Sequence, residues 1–173
     1  MKMNIGLIAK HRITAIVGLV SITVNTIMLK TARLWHINAE AGGLLKLCLK
    51  LLPAELSQAA FFHSTTFWIL FHYLTGGGLV MIYIIFVKKK LKWPGWINGT
   101  VFALFLWLIN SLVVLPLLGQ HIFGVKQLRP SGIIYFFVGN LIFGLLLGGL
   151  DNIARSYMKT IGKNERRSNA IAE

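Results

Sequence analysis

The chain has 173 residues, of which 55% are hydrophobic and only 13% charged, about half the charged share of an ordinary soluble domain. One crossing of a bilayer core takes about 20 apolar residues, so four crossings use roughly half of this length and exclude a second sizeable domain. The formal charge of +13 comes from 18 lysines and arginines against five acids, yet the bases sit at the edges of apolar runs with no nucleic-acid motif beside them. That excludes nucleic acid as the expected partner and points to anionic lipid headgroups.

The first apolar run, 13–29, follows Lys10, His11 and Arg12 and precedes Lys30 and Arg33. It is too long for a signal-peptide core and has no small-x-small cleavage site, so an uncleaved first span is expected. A connection of 36 residues, 30–65, comes next, longer than a turn and shorter than a domain. Within it, 41–52 interleaves apolar residues with Lys46 and Lys50 and stops before Pro53, which predicts a short amphipathic helix on the membrane surface, with an ordinary irregular loop as the alternative. The single cysteine, Cys48, lies in this stretch and excludes an intrachain disulfide or a cysteine-based metal cluster.

The run 66–87 carries no charge and ends abruptly at Lys88, Lys89, Lys90 and Lys92. Trp93-Pro94-Gly95-Trp96 reads as an interfacial turn with its indoles at headgroup depth, and it leads into the third run, 97–118. Pro116 near the end of that run is expected to kink or end the helix. The fourth run, 133–150, is expected to stop at Asp151. The tail 152–173 is polar and mixed in charge, predicted to begin as a surface helix and to end in disorder. The fold class expected is all-α, one polytopic bundle of four spans.

With the N-terminus inside, the cytoplasmic segments hold twelve lysines and arginines against six outside. The positive-inside rule therefore predicts both termini in the cytoplasm.

Small residues suggest where helices meet. Gly76, Gly77 and Gly78 fall in the middle of the second run, and Gly144 and Gly148 have small-xxx-small spacing in the fourth; both are expected to pack spans closely. Among the polar residues within the runs, Asn25, His72, Asn98, Asn110 and Asn140, the amides of Asn110 and Asn140 are placed to hydrogen-bond each other between spans. No lysine, arginine or acid lies well inside a span, which weighs against a proton-coupled carrier.

His36, His63, His72 and His121 all fall on the external side under this orientation, and His36 would share a helical face with Glu40. Imidazoles and carboxylates suit zinc, and paired histidines suit haem, but no His-x-x-x-His pair or haem-attachment motif is present, so these four are weak metal candidates and no cofactor is expected. Nor does the sequence carry a G-x-S-x-G elbow, a H-E-x-x-H pair, a phosphate-binding glycine loop or paired carboxylates. No catalytic residue is nominated.

His72-Tyr-Leu-Thr-Gly-Gly-Gly with Tyr83 beyond it, Trp107 and Pro116, the turn from Leu118-Gly119 to Phe123-Gly124, and the glycine-rich fourth run together resemble small uncharacterised bacterial inner-membrane proteins of the YagU-like kind. The resemblance covers rather under half of the chain. It implies a four-span bundle in a bacterial inner membrane and brings no biochemical activity with it.

The function expected is that of a non-catalytic multi-pass membrane protein, either a small subunit or stabiliser of a larger membrane assembly or a protein affecting the envelope. The alternative is a small transporter or channel formed by a homo-oligomer around His72, Asn110 and Asn140. A second alternative is a haem or metal protein using the external histidines.

Overall fold

The computed structural model of the chain describes residues 5–39 and 43–172. Glu40, and with it the expected face shared with His36, lies outside the described residues, as do the first two residues of the predicted 41–52 helix.

All the regular structure among the described residues is helical, with no strand. Helix α1 is Ile5–Thr31, α2 is Gly43–Lys50, α3 is Thr65–Ile82, α4 is Gly95–Ile109 and α5 is Pro130–Ala172. Four segments are long and apolar enough to cross a membrane: Ala15–Trp35, Thr65–Val87, Gly95–Leu117 and Pro130–Tyr157. Each contains most of a run read from the sequence, because about 20 uncharged residues in one hydrogen-bonded helix is what hydrocarbon selects.

Local chemistry sets the ends. Ser64 caps α3 by accepting the Phe67 N–H at 3.1 Å, and Pro130 opens α5, where its missing N–H costs nothing. His36, at φ 55°, closes the 3-10 turn Ala32–Trp35 that ends the first span. Pro116 acts as expected, with an added feature. The turn before it, Asn110–Val114, is widened to π geometry, and the helix ends at Leu117. A proline deletes one ladder bond and crowds the preceding turn, and a π turn is one way to absorb that.

Helix α5 packs against both α4 and α1, α1 packs against α3, and α3 meets α4 mainly through its own π turn, Tyr83–Val87. The α4–α5 crossing is backbone on backbone. A methyl group on Gly95 would stand 2.5 Å from the Gly148 carbonyl oxygen, and one on Gly99 would stand 2.7 Å from the Gly148 nitrogen. The crossing therefore pairs Gly95-xxx-Gly99 with Gly144-xxx-Gly148, a small-residue motif on each helix. Gly76 also packs closely, against Ile22 of α1, whereas Gly77 and Gly78 have no neighbour within 4 Å of a Cβ position. Those two do not pack spans together within the chain, contrary to expectation; the three glycines turn to different sides of one helix, and only the first faces α1.

Interhelical hydrogen bonds supplement this. Asn25 Nδ2 donates to Gly139 O at 3.0 Å, Tyr135 Oη donates to Met28 O at 3.0 Å, and the Thr23 and Tyr73 hydroxyls lie 2.9 Å apart.

Asp151 does not end the fourth helix. Helix α5 continues through it to Ala172, including the stretch expected to be disordered. The Asp151 side chain is only 3% exposed and forms an ion pair with Lys88, at the end of the second span, and with Arg155 Nε at 3.0 Å. A charge flanked by two cations need not terminate an apolar helix.

Candidate functional site

The polar residues of the spans converge. Asn25 of α1, His72 and Thr75 of α3, Asn110 at the α4 π turn and Asn140 of α5 all line one cavity of about 350 Å³. Its other walls are apolar, among them Ile22, Phe71, Leu106 and Phe143. The cavity follows from the helix arrangement: α3 leans on α1 and reaches α4 mainly at its Tyr83 end, so the opposite ends of α3 and α4 stand apart.

Helix α2 closes over that gap. Gly43 is buried against Asn110 and Leu115, and a methyl group on it would collide with the Asn110 side-chain oxygen. Leu44 and Leu45 contribute to the wall. Outside, Lys50 Nζ donates to Leu117 O at 3.2 Å and Lys46 Nζ donates to Gln127 Oε1 at 3.1 Å. The amphipathic pattern read from the sequence is present, and part of its apolar face packs on the bundle.

Asn110 and Asn140 face the same space without bonding to each other, contrary to expectation. Asn140 Nδ2 donates to Phe136 O, 2.8 Å away on its own helix, while Gly43 occupies the position beside Asn110. Asn98 serves elsewhere: its Nδ2 donates to Leu91 O and Trp93 O and fixes the turn into α4.

His72 stacks on Trp68 at 5.1 Å with the rings nearly parallel, and Lys30 Nζ lies 3.8 Å from the Trp68 ring centroid. A cation over an indole face is attracted by the ring quadrupole. Sequence reasoning overlooked Trp68; its i, i+4 spacing from His72 was the signal available.

The four histidines do not come together. His36 and His121 are exposed in separate turns, His63 lies within 3.0 Å of Ser57 O, and His72 is in α3. Among the described residues no group of three His, Cys, Asp or Glu side chains is placed to hold a metal ion.

A second cavity of about 450 Å³ adjoins the first and shares Trp68 and Leu45 with it. Lys30, Arg33, Lys46 and His63 line it together with Asn38, Ser64, Thr65 and Gln127. Partial burial holds the Lys46 ammonium below the usual lysine range, since removing water disfavours the charged form. The chain thus offers an apolar chamber with a few amides and an imidazole, next to a polar, basic one. No protein-family model, curated protein or solved structure matches the chain.

Proposed function

We propose that this is a non-catalytic multi-pass membrane protein whose working part is the chamber lined by His72, Asn110 and Asn140, a binding site for a mainly apolar small molecule. The observation that carries this reading is the convergence of polar residues from four spans on one apolar cavity. Its volume lies within the range of about 300–1,000 Å³ common to small-molecule sites, which are mostly apolar with a few placed polar groups. A turnover role has no comparable support, because the sequence nominates no nucleophile with a base.

Native mass spectrometry of the gently solubilised protein tests this first. A retained small amphiphile is expected, and Asn110→Leu, which keeps approximate volume but removes the amide, is expected to lower its occupancy about tenfold, as for one lost polar contact in a desolvated site. A bare chain under all conditions, or reproducible turnover, overturns the proposal.

The same spectrum bears on a second reading, a subunit of a larger membrane assembly. That reading is supported by the outward face of α3, where Gly77 and Gly78 are uncovered and most of the second span is not buried within the chain; co-purifying foreign subunits would favour it. Solute flux in liposomes, lost on His72→Ala, would favour a transporter, and a haem absorbance band would favour the histidines.

The proposed location is a bacterial inner membrane, as the YagU-like resemblance implies, with both termini in the cytoplasm on the distribution of lysine and arginine. Cys48 is exposed and is the chain's one cysteine, so a membrane-impermeant maleimide is expected to label it in intact spheroplasts. Labelling only after lysis reverses the orientation.

A further inference from the structure

We propose that the ligand is an anionic amphiphile of the bilayer, a single-chain lipid whose phosphate or carboxylate sits among Lys46, Lys30, Arg33 and His63 while its chain enters the chamber lined by Asn110 and Asn140. This deepens the binding-site reading above and rests on it.

The two cavities are contiguous in their walls. Trp68 and Leu45 line both, so the two cavities adjoin at these side chains, and a molecule with a polar end and an apolar end can lie along the Trp68–Leu45 boundary with one end in each. The chemistry of the two differs in the way such a molecule requires. The inner chamber is walled chiefly by aliphatic and aromatic groups. The outer one has four basic side chains and five hydrogen-bonding neutral groups when the Trp68 indole is counted, and no acid is among its described lining residues. Charge-assisted bonds from ammonium and guanidinium groups are the strong way to hold a phosphate or carboxylate.

Their depth also suits a headgroup. Lys30 lies in the last turn of α1, Ser64 caps α3 and Thr65 begins it, so the basic chamber stands at the level where the apolar runs stop and lipid headgroups reside. Lys46 projects from α2, the helix that roofs the inner chamber, and its partly desolvated ammonium gains more from an incoming anion than a fully hydrated one would.

The test uses the full chain in nonionic detergent, titrated with 1-oleoyl lysophosphatidic acid, with 1-monooleoylglycerol of the same chain, and with inorganic phosphate, binding being read by native mass spectrometry. The lysophosphatidic acid is expected to bind about tenfold more tightly than the neutral lipid, the scale of one hydrogen bond to a charged group. Lys46→Gln is expected to remove most of that preference and leave monooleoylglycerol binding unchanged, and Gln127→Glu, which sets a carboxylate beside Lys46, is expected to do the same. Lys92→Gln, at the other end of the bundle, is the control and changes neither. Thr75→Trp, which fills the inner chamber, weakens both lipids.

Equal binding of the two lipids, unaffected by Lys46→Gln and Gln127→Glu, overturns the headgroup assignment and leaves the chamber as a neutral site. Failure of both lipids to bind overturns the chamber reading as well. Inorganic phosphate binding as tightly as the lysophosphatidic acid overturns the amphiphile and leaves a plain anion site.

Discussion

Gly148→Ala and Gly99→Ala are expected to destabilise the bundle, while the same substitution at Gly77 or Gly78 is expected to be neutral or stabilising. The contrast follows from what the added methyl meets. At Gly99 it would stand 2.7 Å from the Gly148 nitrogen, and at Gly148 it would meet the carbonyl of Gly95. Neither neighbour is the far end of a side chain, so no rotamer change relieves the collision. Helices α4 and α5 must separate along the crossing, which forfeits dispersion contacts for every residue in it. Overpacking of this kind costs about 1–3 kcal/mol, and the absence of a flexible partner places Gly148→Ala at the upper end. At Gly77 and Gly78 nothing lies within 4 Å, and replacing a helix-interior glycine by alanine there gains about 0.5–1 kcal/mol through backbone entropy. Unfolding by SDS in mixed micelles, followed by circular dichroism, reads both effects. Equal destabilisation at all four positions would mean that the uncovered face of α3 is covered by something in the micelle, a second copy included.

These glycines also mark how far a sequence reading reaches. Gly144 and Gly148 were visible as a packing motif, but their partners Gly95 and Gly99 were not, although the spacing is identical. Gly95 sits between Pro94 and Trp96, and turn chemistry claimed it first. The four spans were legible because hydrocarbon demands a long uncharged run whatever its neighbours are. The polar residues His72, Asn110 and Asn140 were legible as uncommon groups in the spans, and the sequence could group them only as an amide pair or around a path between copies. Their common cavity was not, since it depends on α3 leaning toward α1 and on Gly43 of a separate helix filling the space beside Asn110. Periodicity within one helix carries no record of either. The same holds for the basic chamber, whose members come from four parts of the chain and which looked like ordinary flanking charge in the first connection. The histidines show the converse: residue type alone nominated His36, His63, His72 and His121, and the fold sets them in separate turns and helices.

Asp151→Ala is expected to be the most damaging change of a single charge. In sequence this residue looked like a helix stop, because an acid following 18 uncharged residues is the simplest sign of a span's end. In the structure it is 3% exposed, with Lys88 and Arg155 against its carboxylate at 16% and 22% side-chain exposure. Removing it leaves two positive charges facing each other across the junction of α3 and α5, with limited water to screen them. Breaking a fully buried pair costs about 3–5 kcal/mol, and the residual exposure of the two cations reduces this to about 2–3 kcal/mol. Asp151→Asn should cost less, since the amide oxygen still accepts hydrogen bonds while the charge is lost. Lys88→Met should be milder again, because Arg155 continues to neutralise the acid. A double-mutant cycle of Lys88→Met with Asp151→Ala, measured in the same SDS titration, is expected to show a favourable coupling of about 1 kcal/mol or more, as contacting charges do. Added salt should leave that coupling nearly unchanged, since a buried pair is screened little. Zero coupling, or coupling abolished by salt, would make Asp151 a surface charge in practice; the π turn that follows α3 would then be held by Tyr83, 1% exposed and with its ring tilted against Phe102 at 5.6 Å, and Tyr83→Ala would become the variant that releases it.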